Sequence, residues 1–457
     1  MNIIICGAGR VGFTISKLLS EQNHSITVID QSSDDIQKIN ETLDVKAIVG
    51  KATSPAILEK ANIAEANMII AVTRNDEINM LICQIAYSLF KTPKKIARIR
   101  AQEYLDPKFS QLFNRDNLPI DFVISPEIEI AKSIHRKLES PGSSDNVPFA
   151  DNNIRLLEIQ VDERCPINNI KLNDLTKKFP KLNANILGVV RDKKFIFLKK
   201  NDVMKKNDKA YVAINASQIQ ETLEAFGHND PISKKILLIG GGNIGYNLAK
   251  YIESSTNDTR LKIIEKNKER AEFLAGELSN TIVINGDGLD EEVLKEANLD
   301  ETETVIALTN DDEDNLMVGV LVEKFSQNKR TMVLTTKPNY SLLQSSLNID
   351  DLIDPRMNTV SSILKHVHKG TIESAYSILN GEYEVIEAEI IETSDLINKE
   401  LKNADLPDEI KIGAVLREKE VIIPRSNFVF KKNDIIVFIA KKDQIPLVEN
   451  IFRISAV

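Results

Sequence analysis

The 457-residue chain is poor in the residues that most often carry chemistry or mark an export route. It has three cysteines, Cys6, Cys83 and Cys165, far apart and without CxxC spacing, so neither a disulfide framework nor a zinc site follows. Cys6 and Cys83 read as small buried hydrophobes. The five histidines, His24, His135, His228, His366 and His368, stand in no motif with a catalytic partner, and the two-residue spacing of His366 and His368 does not place a metal pair on one helical face. Apolar runs such as Ile236 to Ile239 fall far short of the ~20 residues that cross a bilayer. The start, Met1-Asn2-Ile3-Ile4-Ile5-Cys6, lacks the basic region and cleavage site of a signal peptide, and the expectation is a cytosolic chain. Positive charge is also short: 58 Lys plus Arg face 67 Asp plus Glu, a net charge of -9. That balance argues against a general nucleic-acid or anionic-lipid binder. The lysines 193, 194, 199, 200, 205 and 206 cluster, as a solvated strand edge would have them.

With 42% hydrophobic and 27% charged residues the chain reads as a soluble globular protein. At about 150 residues per domain its length alone suggests roughly three domains. An internal repeat overrides that count. Ile3-Ile4-Ile5-Cys6-Gly7-Ala8-Gly9-Arg10-Val11-Gly12 returns as Ile236-Leu237-Leu238-Ile239-Gly240-Gly241-Gly242-Asn243-Ile244-Gly245, an offset of 233. The run 70–80, with Thr73, Asp76, Glu77 and Asn79, returns as 306–316 at an offset of 236. More loosely, 186–192 returns as 412–418 and Lys206-Asn207-Asp208 as Lys432-Asn433-Asp434.

Each repeat spans two modules. Short apolar runs, Ile3 to Cys6, Ile26 to Asp30, Ala47 to Val49, Met68 to Val72, Ile96 to Ile99 and Phe122 to Ser125, alternate with helical patterns. Such runs are strands of a parallel sheet covered on both faces. Ser54-Pro55 opens a helix with an N-cap and an N1 proline, and 127–139 is a further helix. The stretch 140–144 reads as a linker into a small α+β module with strands near 156–161, 186–190, 195–198 and 210–214. A second linker, 227–231, joins the halves, and in the second half a helix near 358–368 precedes the last module. The expected fold is α/β: two Rossmann-like parallel-sheet domains at 1–140 and 233–370, each followed by a small α+β domain, at 150–228 and 383–457.

A lone GxGxxG is weak evidence, but here strand, helix and a following acid are supplied twice. Gly7 permits the tight turn, Gly9 the approach of a pyrophosphate, and Gly12 close packing of helix on strand. The helix N-terminus offers free N–H groups and about half a positive charge to phosphates, and Arg10 adds a cation. Asp30 and Glu265 each end the next apolar strand, where a carboxylate binds a ribose 2'-hydroxyl and repels a 2'-phosphate. NAD(H) or an adenosine nucleotide is therefore expected in preference to NADP(H). Thr73 and Thr309 fall at the ligand edge of the sheet; Asp76 and Asp312 read either as contacts there or as helix caps. Strand five ends in Ala97-Arg98-Ile99-Arg100, whose arginines either fork onto phosphate or form surface salt bridges. The acidic run 311–314 reads either as a divalent-cation site or as a solvated helix start.

Both halves resemble the RCK_N/RCK_C (KTN) family of potassium-transport regulators, most specifically through 76–80, 96–100 and 307–313. The resemblance covers essentially the whole chain. It implies NAD/NADH or ATP/ADP binding and assembly into a homo-oligomer, a tetrameric ring. It also implies a Trk-type potassium channel or transporter as membrane partner, at the inner face of the cell membrane. By position it places Gly7, Ala8, Gly9, Arg10, Val11, Gly12, Asp30, Thr73, Arg74, Arg98 and Arg100 at a first nucleotide site. Gly240, Gly241, Gly242, Asn243, Ile244, Gly245, Glu265, Asp287 and Thr309 fall at a second. Where Gly286-Asp287-Gly288 follows the family pattern, the first half has Gly50-Lys51-Ala52, and Thr336-Lys337 stands where the first half has its arginines. The two sites thus differ. No acid or base that a hydride-transfer enzyme needs is in evidence, so the expected role is a nucleotide-binding regulatory subunit; the alternative is an NAD-dependent oxidoreductase with an unrecognised substrate module.

Overall fold

A computed structural model describes residues 1–21, 24–163, 165–179, 182–255, 258–325, 329–344, 346–364, 366 and 372–451. It contains two all-parallel and two antiparallel sheets. The first parallel sheet is built from β1 (Asn2–Cys6), β2 (Ser25–Asp30), β3 (Lys46–Val49), β4 (Met68–Ala71), β5 (Lys94–Arg98) and β6 (Phe122–Ile124). They lie in the order β3-β2-β1-β4-β5-β6. β1 and β4 are buried along nearly their whole length, which is why they read as unbroken apolar runs. The order reverses between β1 and β4, and that opens a crevice at the strands' carboxyl ends.

The first antiparallel sheet contains β7 (Ser143–Phe149), β8 (Ile154–Gln160), β9 (Ala184–Arg191), β10 (Lys194–Ile196) and β11 (Lys209–Asn215), ordered β10-β9-β11-β8-β7. β7 begins inside the stretch expected to be a linker. Ser143 and Ser144 look like loop residues, but the chain continues into a strand paired along β8. The second half repeats both sheets. β12 (Lys235–Ile239), β13 (Arg260–Glu265), β14 (Thr281–Asn285), β15 (Thr304–Ala307), β16 (Arg330–Leu334) and β17 (Asp351–Ile353) run in the order β14-β13-β12-β15-β16-β17. β18 (Ile372–Ile378), β19 (Tyr383–Glu389), β20 (Ile410–Arg417), β21 (Glu420–Ile422) and β22 (Ile435–Lys441) form the last sheet. The helix expected near 358–368 is observed as Pro355–Leu364; its expected end and His368 lie outside the described residues.

Like associates with like. One compact unit joins residues 1–135 to 233–363, so the two parallel-sheet modules pack together. The other joins 136–232 to 364–457. In it one apolar core draws on both antiparallel sheets: Leu156, Leu187, Phe195 and Tyr211 from the first, Tyr383, Val385, Val437 and Ile439 from the second. Phe195 and Tyr383 stack at 4.7 Å. Lys411 donates to Ile186 O at 2.7 Å and Asn185 to Ile412 O at 3.0 Å across the same contact.

Candidate nucleotide-binding clefts

Each crevice is shaped first by glycine. Gly7 turns at φ +115° and Gly240 at +104°, the left-handed region that favours glycine. Their N–H groups donate to Ile29 O and Ile264 O at 2.8 and 2.9 Å, tying each loop to the second strand. A Cβ on Gly12 would lie 1.8 Å from Gly7 O, and one on Gly245 2.3 Å from Gly240 O, so these glycines serve helix-on-strand packing. A Cβ on Gly9 or Gly242 would meet nothing within 4 Å. The protein itself does not demand glycine there; the bare backbone leaves room for a phosphate to approach, and on that observation the clefts fit a nucleotide.

The acids expected to bind ribose first organise the loops. Asp30 accepts from Ala8 N at 2.6 Å and Ser32 N at 2.9 Å. Glu265 does the same with Gly241 N at 2.7 Å and Asn267 N at 2.8 Å. Opposite Ala8 stands Gly241, where a Cβ would lie 2.2 Å from the tip of the Leu274 side chain.

The repeated Thr-x-x-Asp-Glu-x-Asn segment is a staple. Asn79 accepts from Thr73 N and Oγ1 at 2.9 and 2.7 Å and donates to Arg98 O at 2.8 Å, binding the end of β4 to that of β5. Asn315 repeats this with Thr309 and Leu334 O. Asp76 and Asp312 are not the caps: Asn75 caps its helix, accepting from Ile78 N, and Asp311 accepts from Asp314 N. Asp76 instead takes the N–H groups of Arg100 and Ala101 at 2.7 and 2.8 Å, and Asp312 takes the N–H and the hydroxyl of Thr336 at 3.0 and 2.9 Å. Sequence shows an acid next to a helix start in both cases, and only the fold separates cap from staple. Likewise Ser54 stands at its N-cap position without a side-chain bond.

The first cleft, roughly 1060 Å³, is lined by Gly7, Gly9, Arg10, Val11, Asp30, Thr73, Arg74, Arg98 and Arg100 among the expected residues. Ala8 and Gly12 do not line it. Sequence missed Asp35 and, from the second parallel-sheet module, Thr336, Pro355 and Thr359, which also line it. Arg10 donates to Thr336 Oγ1 at 3.0 Å, so the second module closes one side of the first cleft. The walls carry five cations, Arg10, Lys51, Arg74, Arg98 and Arg100, against Asp30 and Asp35. Arg98 Nε is buried with no acceptor. Burial lowers the Arg98 pKa, with the nearby Glu127 opposing; burial likewise raises that of Glu127.

The second cleft, roughly 470 Å³, takes in Gly240, Gly242, Asn243, Glu265, Asp287 and Thr309. Gly241, Ile244 and Gly245 are not on its wall. It carries Lys266 and Arg270 against Glu265, Asp287 and Asp314. Lys337 does not line it and pairs instead with Glu313. The run 311–314 is accounted for by Thr336, Lys337 and the helix start, and among the described residues no group of three or more His, Cys, Asp or Glu is placed to hold a metal. Among the described residues no histidine or cysteine lines either cleft. The three thiols are free and buried, and burial pushes that of Cys83 up to about 12.

The TrkA-N domain family matches residues 3–126 and 236–355, and the TrkA-C domain family matches 156–227 and 385–453. The chain is 40% identical over 455 residues to a Trk system potassium uptake protein TrkA of Azorhizobium caulinodans, covering 100% of this chain and 99% of the relative. It is 33% identical over 459 residues to the protein of that name from Vibrio alginolyticus, with the same coverage. Among solved structures the GsuK channel superposes with a TM-score of 0.61 at 16% identity, over 99% of this chain and 79% of that one. The GsuK RCK domain gives 0.59 at 17%, over 99% and 95%. The GsuK channel bound to NAD gives 0.60 at 17%, over 99% and 79%.

Proposed function

The chain belongs to the TrkA family of Trk system potassium uptake proteins, and from that premise we propose that it is the nucleotide-sensing regulatory subunit of a Trk-type potassium channel or transporter. The observation that carries this reading is the pair of glycine loops with open space at Gly9 and Gly242, one at the mouth of each cleft. Among the described residues no helix is long and apolar enough to cross a membrane; in this reading the pore belongs to a membrane partner, beneath which the chain sits at the inner face of the cell membrane. A homotetrameric ring is the assembly we propose.

The clefts suit different nucleotides. Arg10, Arg74, Arg98 and Arg100 give the first a cationic phosphate edge fit for ATP or ADP. The corresponding residues of the second are Asn243, Asn310, Leu334 and Thr336, which suit the less charged diester of NAD(H). Arg10 also supplies a lever. Phosphate at the glycine loop competes with Thr336 for its guanidinium, and a ligand shifts a conformational equilibrium by its differential affinity for the two states.

Potassium flux into vesicles carrying the membrane subunit and this chain, measured with ATP, ADP, NADH and no ligand, tests the proposal. Flux should differ among ligands, and Arg10→Ala should weaken the response to ATP while leaving basal flux. Identical flux under all four conditions, or turnover of NADH with a carbonyl substrate, refutes it.

A further inference from the structure

The helix after the second strand begins the same way in both parallel-sheet modules. Ser32 caps the helix Ser33–Thr42 and takes the N–H of Asp35 at 3.2 Å; Asn267 caps Lys268–Glu277 and takes the N–H of Arg270 at 2.8 Å. Asp35 and Arg270 therefore occupy one structural position, third in the helix, and each lines its cleft. The next loop corresponds too. Gly50 N donates to Asp30 O at 2.8 Å and Gly286 N to Glu265 O at 3.1 Å, which sets Lys51 against Asp287. At both positions the sign of charge is exchanged between the clefts.

Arg270 is held in place. Its Nε donates to Gly241 O at 2.8 Å, and its guanidinium lies 4.8 Å from the ring of Phe273 and 5.5 Å from that of Tyr246. Its Nη2 is buried and has no acceptor in the protein. The neighbouring Lys266 is engaged by Asp287 at 2.7 Å, and both oxygens of Glu265 already accept backbone N–H groups. Beside the ribose-facing acid the second cleft thus presents a fixed cation with an unused donor. The first presents Gln31 and a further carboxylate. A 2'-phosphate adds negative charge and strong acceptor oxygens at that corner, and an arginine near the acid is the group that accommodates it.

We propose that the clefts differ in what they accept on the adenosine ribose. The second admits a 2'-phosphorylated adenine nucleotide as well, through Arg270, and the first, guarded by Asp35, takes only a free 2'-hydroxyl. The assignment rests on reading both clefts as nucleotide sites, and it reverses for the second the exclusion of 2'-phosphate that Glu265 alone implies.

Calorimetric titration of the full chain with 5'-AMP and with adenosine 2',5'-bisphosphate tests it. The bisphosphate should bind one equivalent per chain and 5'-AMP two. Arg270→Asp should weaken the bisphosphate at least about tenfold while 5'-AMP stays within about threefold, because only the 2'-phosphate loses a charge-assisted partner. Arg270→Gln, which keeps a donor and the packing, should fall between, and guards against misfolding of the aspartate variant. Asp35→Arg should raise the bisphosphate to two equivalents. Equal loss of both ligands in Arg270→Gln, two bisphosphate equivalents in the parent chain, or none where 5'-AMP binds, overturns the assignment. A chain that binds neither compound takes the nucleotide reading down with it.

Discussion

Glycines 9 and 12 answer different demands. Alanine at 12 would drive a methyl into Gly7 O and force helix and strand apart, whereas alanine at 9 meets no protein atom. Gly12→Ala should cost more than about 4 kcal/mol, in the range reserved for severe overpacking, while Gly9→Ala should stay within about 0.5 kcal/mol yet weaken nucleotide binding. Urea unfolding with a parallel ligand titration separates the two. Lys411 makes a second prediction at this scale. Burial pushes its ammonium down to about 8 from the ordinary 10.5. Below pH 8 both the folded and the unfolded chain hold the proton; between about 8 and 10.5 only the unfolded chain does, so folding stability contributed by this group rises with pH across that window. The difference in unfolding free energy between the parent and Lys411→Met, followed from pH 7 to 11, should show that rise. The glycine spacing and the two acids were legible because backbone sterics admit few alternatives. Arg270 was not, since an arginine in a first helical turn is an ordinary surface residue until its stacking on Phe273 and its bond to Gly241 are seen.

At the scale of elements, strands buried on both faces announced themselves as apolar runs, and the repeat fixed their number. β7 escaped because Ser143 and Ser144 have turn chemistry, and its pairing with β8 is a tertiary fact. The long strands β9 and β20 are each anchored at one end by a two-pronged ion pair. Arg191 grips the fully buried Asp208 at 2.7 and 2.6 Å, and Arg417 grips Asp434 at 2.8 and 2.7 Å. The same acids accept the N–H groups of Lys205 and Lys431, so each also closes a turn. Removing one partner leaves the other charge desolvated, and Asp208→Ala should cost about 3–5 kcal/mol. Thermal unfolding against Arg191→Ala and the double variant gives the coupling; additivity of the two single effects would contradict the pairing.

For the whole molecule, sequence shows two halves, each a nucleotide module followed by a small companion, and that order along the chain is observed. In space the modules associate by kind, a pairing that no linear pattern encodes because it depends on which apolar faces match. One prediction belongs here. Five cations line the first cleft and two, one of them already paired, the second. ATP affinity should therefore fall steeply with ionic strength and NADH affinity much less, since screening acts on charge. At about 100 times its dissociation constant each ligand should stabilise the folded chain by about 2.7 kcal/mol, visible as a shift in unfolding temperature. A slope common to both ligands would contradict the division of clefts.

The mixed core of Phe195, Tyr211, Tyr383 and Val437 has a further consequence. Because it is assembled from segments some two hundred residues apart, a fragment cut near residue 230 would leave one wall of that core naked and should cling to others of its kind. Tethering converts what would be a bimolecular docking into an internal one, at an effective concentration on the order of millimolar. Joining both halves in one chain makes permanent an association that two separate copies would have to win from dilution.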